Sequence, residues 1–478
     1  MLLEPFLQQC RIRPDAIALT ENDHRLSYRE LLHRAQNVAA RLQANGIHPG
    51  QPVAIHLDRG IDATIAVFGV LLAGACYVPL DLKNPPSRLA FIVGDAQVCA
   101  VIGAGPATPA WLNADLWLDI ETCPTAKPNP IDLCAESLAA ILYTSGSTGQ
   151  PRGVALSHEA ITAFAGWAAD LLALNPDDRI ASSAPFFFDL SSFDLYGVLG
   201  SGASLHFVPA MLSMAPARLS AWLQEKAISG WYTVPSLLTF LAYKGNLPET
   251  PLKALRFLLF AGEVFPTPAL IDLAAALPHT ALYNFFGPTE TNVCCHWPVA
   301  REQLIAEESI PVGQPAAGCE LHIDEQSGEL SVQGPTLASG YWMQGKLQPF
   351  LNEQGRYATG DRVSLKNGQF HFHGRLGRML KCSGYRVEPA EIEAIVNALP
   401  GVTECAVIGI NDATAGQRPA LTLVLEPEIT VADIRKNLHK QLPAYMQPSR
   451  FQVLETLPRL ANGKLDYRQL QELLASVD

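Results

Sequence analysis

From its start to about residue 375 the chain alternates two textures. Short apolar runs predict buried strands: QPVAIHL (51–57), ACYVPL (75–80), LAAILYT (138–144), SLHFVP (204–209), RFLLFAG (256–262) and ALYNFFG (281–287). Between them lie Ala- and Leu-rich amphipathic stretches. One of these, YRELLHRAQNVAARLQANG (28–46), predicts a helix with Ser27 as N-cap that ends at Gly46. This alternation predicts α/β layers with largely parallel sheets, where ligands bind at the carboxyl ends of strands. Three polar, glycine-containing loops follow such runs: YTSGSTGQPRG (143–153), FAGEVF (260–265) and NFFGPTE (284–290). Their placement predicts one shared site.

Near residue 375 the texture changes. HFHGRLGRMLKCSGYRVEPAEIEAIVNALPGV (371–402) runs from a glycine-punctuated basic stretch into a helix beginning around Glu388 to Glu391. CAVIGI, ALTLVLE and FQVLE then predict strands, and VADIRKNLHKQL a helix. The expected division is residues 1–376 as a large core and 377–478 as a small α+β domain. Gly374 and Gly377 permit large backbone rotations at the junction, which predicts a hinge.

Composition narrows the function. Hydrophobic residues at 48% with 17% charged residues indicate packed globular domains, and 478 residues exceed one ordinary core. A net charge of −12 argues against a general nucleic-acid binder, so any anionic ligand must be met by a local constellation. The ten cysteines show no metal-type spacing; free thiols in a cytoplasmic protein are expected. The first residues lack the pattern of a signal peptide. Ala63 to Leu80 is an uncharged stretch of eighteen residues, near the lower limit for a membrane span. Gly69, Gly74 and Pro79 interrupt it, so a buried helix, a turn and a buried strand are expected.

The 143–153 loop has the make-up of a phosphate site, yet it is not a Walker loop. Its cation, Arg152, stands between Pro151 and Gly153, and Pro151 argues against a helix starting there in the usual register. Taken in order, YTSGSTGQPRG, FDLSSFDLYGVLGSGASL (188–205), NFFGPTET (284–291), YATGD (357–361), GRLGRMLKCSGYRVEPAEIE (374–393) and NGKLD (462–466) resemble the adenylation enzymes of nonribosomal peptide synthesis. LSYREL (26–31), LLAGACYVPLD (71–81), GELSVQGPTLASGYW (328–342) and LPAYMQP (442–448) agree, so the likeness spans nearly the whole chain. It implies a fold of layered mostly parallel sheets with helices, a small β-barrel-like part and a mobile C-terminal domain. It also implies ATP and Mg²⁺, and attack of a carboxylate on the α-phosphate to give acyl-AMP and pyrophosphate.

The resemblance assigns roles by position. Thr144, Ser145, Gly146, Ser147, Thr148 and Gly149 would wrap the β- and γ-phosphates, with Arg152 where the family usually has Lys. Gly262, Glu263, Asn284, Phe286 and Gly287 belong to the nucleotide site, Phe286 stacking on adenine. Thr289 would contact the α-phosphate and Glu290 hold Mg²⁺. Asp361, helped by Arg375, would accept hydrogen bonds from the ribose hydroxyls. Lys464 would be the catalytic cation, reaching the substrate carboxylate and α-phosphate.

Asp189 opens the substrate pocket of the family. A carboxylate in an apolar pocket calls for a cationic partner, which an α-ammonium supplies. The other pocket positions are Leu190, Phe193, Tyr232, Leu259, Ala261, Phe285, Val293 and Cys294. Apart from Asp189 and Lys464 this lining holds no charge, which disfavours acidic and basic side chains. The set is similar to that of free-standing L-prolyl-AMP ligases, which implies L-proline, with pipecolate, valine and alanine open. The acceptor implied is the phosphopantetheine thiol of a separate carrier protein. By resemblance Gly377 replaces the usual hinge Asp, Arg378 takes over a local polar role, and Gly384 lines a thiol tunnel near Lys381. The rival readings are a carboxylate–CoA ligase, an inactive nucleotide sensor and a membrane protein.

Overall fold

The computed structural model describes residues 2–146, 149–412, 416–459 and 465–475. The predicted runs become strands at Pro52–His56, Cys76–Pro79, Leu138–Thr144, Ser204–Phe207, Phe257–Phe260 and Ala281–Phe286. The helix Tyr28–Ala44 begins as expected: the Ser27 hydroxyl accepts from the Glu30 N–H, and the Glu30 carboxylate accepts from the Ser27 N–H. It stops two residues before Gly46, which adopts φ +79°. The uncharged stretch divides into the helix Ile61–Leu72, a turn at Gly74 with φ +74°, and the strand Cys76–Pro79. A side-chain carbon on Gly69 would lie 2.6 Å from Val38, so this glycine lets the two helices touch. Among the described residues, no helix is long and apolar enough to cross a membrane.

Packing divides the chain into two units. The first comprises residues up to Leu82, Val93–Leu142 and Gly153–Gly374. The second comprises Lys83–Ile92, Tyr143–Arg152 and the chain from Arg375 onward. No local pattern announces that two short early segments pack with the later residues.

Two large sheets organise the first unit. Among the described residues one has nine strands, with Gly230–Thr233, Phe257–Phe260 and Ala281–Phe286 as parallel neighbours near one end. The other has eight, including Pro52–His56, Cys76–Pro79 and Leu138–Thr144. Residues of both sheets and of the helices Tyr28–Ala44, Ile61–Leu72 and His158–Leu171 share one apolar cluster, the layered arrangement that the alternation predicts. Glu320–Ile323, Glu329–Gln333, Tyr357–Lys366 and Gln369–Arg375 form a separate four-stranded sheet over its own small core.

In the second unit, Leu380–Cys382 and Tyr385–Val387 form a hairpin beside the long pair Val402–Asp412 and Gly416–Leu425. Ser383 and Gly384, at φ +51° and +83°, make its two-residue turn; backbone of this hand matches the strand twist. The helices Pro389–Asn397 and Val431–Gln441 contribute to one core of the unit, and Tyr467–Ala475 to a second.

Gly230 shows how tightly the site-bearing strands are packed. A side-chain carbon there would lie 2.1 Å from the buried Phe257 ring, which itself meets Phe193 edge to face. Gly230→Ala must displace that ring and is expected to cost about 1–3 kcal/mol. The check is a lower urea midpoint with unchanged slope for the transition of this unit.

Candidate active site

Side chains alternate across a strand, so each site-bearing strand serves two faces. Tyr232 is in register with Leu259, and Leu259 with Tyr283. Tyr232, Leu259 and Phe285 therefore share one face, and Trp231, Leu258 and Phe260 the other. Burial follows the same division. Phe193, Tyr232, Leu259, Ala261, Phe285 and Val293 lie in one continuous cluster with Leu190 packed against it. Trp231, Leu258 and Phe260 lie in another. Of the uncharged pocket positions, Cys294 departs from this grouping: it is fully buried in the core that includes Cys295, Val312 and Cys319.

Phe193 and Phe285 meet Tyr232 edge to face, with ring centroids 5.8 and 5.7 Å away. Trp167, on the helix His158–Leu171, extends the wall with its ring 5.3 Å from Phe285. Half-buried Asp189 stands where the chain turns, its carbonyl accepting from the Ser192 N–H at 2.9 Å. The following turn, Phe193–Val198, is π-helical, a geometry frequent at functional sites. Burial raises the Tyr232 phenol well above its ordinary value, and the Asp189 and Asp194 carboxylates push it further. The phenol stays neutral and can donate a hydrogen bond.

Asp194, a second carboxylate acting on the Tyr232 phenol, was not singled out in the sequence. It is fully buried, and desolvation raises it to about 7 against the opposing influence of the Ser182 hydroxyl and the Arg59 charge. Neither carboxylate oxygen completes a hydrogen bond with a described residue. Arg59 instead donates to the Ser182 and Val208 carbonyls, the latter at 2.8 Å.

The nucleotide positions of the first unit lie on strand ends and the four-stranded sheet. Asn284 donates through its side-chain amide to the Pro311 carbonyl at 2.8 Å. Phe286 packs against Phe372 at 5.8 Å. At Gly287 a side-chain carbon would lie 1.7 Å from the Asn292 carbonyl oxygen, so only glycine fits. Gly262 has φ +90°, and Glu263 accepts from the Ser236 N–H at 2.7 Å. Thr289 is half-buried. Buried Asp361 follows Thr359, whose hydroxyl accepts the Asp361 N–H at 3.0 Å.

Glu290 is fully buried, and Tyr341 donates its hydroxyl to one carboxylate oxygen at 2.9 Å. The Tyr357 hydroxyl is 3.3 Å from that of Tyr341. A hard carboxylate oxygen held in this way suits Mg²⁺. The described residues contain no group of three or more carboxylate, imidazole or thiol side chains fit for a metal. The remaining ligands would come from phosphate and water.

The phosphate-loop positions belong to the second unit. Thr144 closes its strand with a buried hydroxyl that has no partner among the described residues, an orphaned donor suited to a phosphate oxygen. Gly149 has φ +84°, and a side-chain carbon there would meet Ala394 at 2.9 Å. Arg152 opens the strand Arg152–Ser157 rather than a helix. The Ser145 hydroxyl donates to the Arg386 carbonyl at 2.6 Å. The Gly146 N–H is directed at Glu391, whose carboxyl is raised by burial and held down by its buried ion pair with Arg88. Sequence reasoning missed Arg88 and Glu391, since a pair 303 residues apart has no local signature.

Arg375 ends the strand Gln369–Arg375, and the backbone at Gly374 has φ +111°. Side-chain carbons at Gly374 and Gly377 would meet nothing within 4 Å. Arg378 forms a forked ion pair with Glu393 at 2.6 and 2.9 Å. The Lys381 N–H donates to the Gln417 side chain at 3.2 Å, and Gly384 closes the hairpin turn. Ser147, Thr148 and Lys464 lie outside the described residues.

The description "AMP-binding enzyme" matches residues 6–342, and "AMP-binding enzyme C-terminal domain" matches residues 391–464. The chain belongs to the AMP-binding enzymes. Among its relatives is an L-proline–[L-prolyl-carrier protein] ligase of Pseudomonas fluorescens, 35% identical, the match covering 98% of each chain. A Streptomyces coelicolor ligase of the same description is 36% identical, over 93% of this chain and 91% of its own. A solved structure of a double mutant of o-succinylbenzoate CoA synthetase from Bacillus subtilis has a TM-score of 0.87 and 23% identity, covering 98% of each chain. That likeness concerns the fold of this AMP-binding enzyme.

Asp194 makes the stability of the enzyme depend on pH in a direction opposite to that of a paired carboxylate. Its folded value of about 7 lies above its ordinary value of 3.8, so the folded state holds the proton longer. Its contribution therefore falls as pH rises from about 4 to 7 and levels above that. Asp194→Asn is expected to remove this decline. Urea unfolding at several pH values should show the variant gaining on the parent as pH rises.

Proposed function

We propose that this AMP-binding enzyme activates L-proline with ATP to prolyl-AMP, then transfers the prolyl group to the phosphopantetheine thiol of a separate carrier protein. The observation that carries the reading is Asp189 acting on a neutral Tyr232 within a wall of Phe193, Tyr232 and Phe285. The Asp189 carboxylate can accept from the α-ammonium of an amino-acid ligand, and the aromatic wall favours a compact apolar side chain. The two ligases named for L-proline and its carrier protein support the same substrate and acceptor.

In the first half-reaction the substrate carboxylate oxygen attacks the α-phosphorus, and the bond from that phosphorus to the bridging oxygen breaks as pyrophosphate leaves. Thr144, Ser145, Ser147 and Thr148, the amides of Gly146 and Gly149, and Arg152 hold the β- and γ-phosphates. Asn284, Phe286, Gly287, Gly262 and Glu263 position the base, and Asp361 with Arg375 the ribose. Thr289 meets the α-phosphate, and Lys464 reduces the repulsion between the two anions as they approach. Glu290, steadied by Tyr341, would hold Mg²⁺, which neutralises phosphate charge when bound.

In the second half-reaction the thiol sulfur attacks the prolyl carbonyl carbon, the thiol proton is lost to solvent, and AMP departs. Gly384 and Lys381 belong to the approach of the thiol. Gly377 supplies the rotation between the two steps.

Exchange of labelled pyrophosphate into ATP tests this reading, with proline, pipecolate, alanine, valine, phenylalanine and benzoate as substrates. The strongest exchange is expected with proline, with some for close analogues because one methylene discriminates by only about 1–3 kcal/mol. Asp189→Ala and Lys464→Ala should each abolish most of it. Exchange with benzoate in preference to every amino acid would overturn the role of Asp189. A second assay offers the adenylate to CoA or to phosphopantetheinylated carrier protein; preferential discharge by CoA would overturn the acceptor.

A further inference from the structure

The hinge expected at Gly374–Gly377 ends abruptly at Arg378. Both glycines have open space around them, whereas Arg378 is held by two helices of the second unit. Its guanidinium grips both oxygens of Glu393, on the helix Pro389–Asn397, at 2.6 and 2.9 Å. The Glu393 carboxylate also accepts the Val407 N–H at 2.8 Å, from the strand Val402–Asp412. The other side of the guanidinium lies over the ring of Tyr467, 4.3 Å from its centroid, at the start of the helix Tyr467–Ala475. Forked pairing uses the edge of the planar cation and ring stacking its face, a combination Lys cannot reproduce.

Tyr467 belongs to a run of residues fixed in succession. Leu465 bridges to Arg459 and packs on the core that includes Leu457 and Leu470. The Asp466 N–H donates to the Pro458 carbonyl at 2.9 Å, and its carboxylate accepts the N–H groups of Arg468 and Gln469, both at 3.1 Å. Arg459 pairs with Glu404. This run directly follows Lys464 in sequence. Lys464 itself is outside the described residues and is joined to this run through its peptide bond to Leu465.

We infer that Arg378 is a positioning residue for adenylate formation: with Glu393 and Tyr467 it ties the end of the hinge to the segment that carries the catalytic lysine. The inference rests on the proposed adenylation reaction and on Lys464 as its cation. Arg378 is thereby fixed to the start of the helix Tyr467–Ala475 within one unit. Loosening the tie frees the segment beginning at Leu465, so the loss falls on the half-reaction that uses the lysine joined to it.

The test compares two half-reactions in the full chain. Arg378→Met is expected to lower proline-dependent pyrophosphate exchange by roughly tenfold to a hundredfold, the scale of a small misplacement of a reacting group. Transfer of prolyl from supplied prolyl-AMP to pantetheine should stay within about twofold of the parent. Tyr467→Phe keeps the ring and should keep exchange; Tyr467→Leu should lose as much as Arg378→Met, and the double variant no more than either single. Equal falls in both half-reactions, unchanged exchange in Arg378→Met, or fully additive losses would overturn the inference. Should Arg378→Met fail to fold, Arg378→Lys and Tyr467→Leu carry the same comparison. A parent silent in exchange, or Lys464→Ala with parental exchange, would instead defeat the proposed function.

Discussion

The two-sidedness of three adjacent parallel strands is the constraint on which the proposed substrate site depends. Along Gly230–Thr233, Phe257–Phe260 and Ala281–Phe286, one set of side chains fills the core that includes Trp231, Leu258 and Phe260, and the alternate set faces Phe193. A slip of one residue would exchange the two sets completely. The parallel register of Tyr232 with Leu259 and Leu259 with Tyr283 therefore does more than build a sheet. It selects which rings form the pocket wall. Gly230 belongs to this constraint, because the space above it is occupied by Phe257, the ring that backs Phe193.

Charge is handled locally throughout the molecule. At a net −12 the chain has no bulk attraction for a triphosphate, and the groups suited to anions are concentrated in short segments. Thr144 presents an orphaned buried hydroxyl at a strand end, and Gly149 adopts φ +84° against Ala394. Buried carboxylates are treated individually. Glu290 is steadied by the Tyr341 hydroxyl, Glu391 is compensated by Arg88, and Asp194 is kept near neutrality by burial. Burial raises the proton affinity of both Asp194 and Glu391, and at Glu391 the Arg88 charge opposes it.

Much of this was legible along the chain. Hydrophobic runs located the principal strands within a residue or two, Ser27 announced its helix, and Gly69, Gly74 and Pro79 correctly divided an uncharged stretch that hydropathy alone would read as a membrane span. The ordered motifs identified the family. Other features had no local trace. Trp167 reads as an ordinary residue of an amphipathic helix until its ring is found 5.3 Å from Phe285. Arg88 and Glu391 are separated by 303 residues. Asp194 lies within the stretch FDLSSFDLYGVLGSGASL, yet its proton affinity depends on burial that no residue spacing expresses. That Cys294 packs with Cys295 and Val312 likewise follows only from the folded chain.

The sequence by itself determined the elements, the order of the motifs and the residue types available for chemistry, because helix caps, turn glycines and side-chain alternation act over a few neighbouring residues. Tertiary structure alone decided which of those residues share a surface and which charges are deprived of water. Both depend on contacts between distant segments, and the desolvation of a carboxylate or the forked pairing of Arg378 comes into existence only when those segments meet.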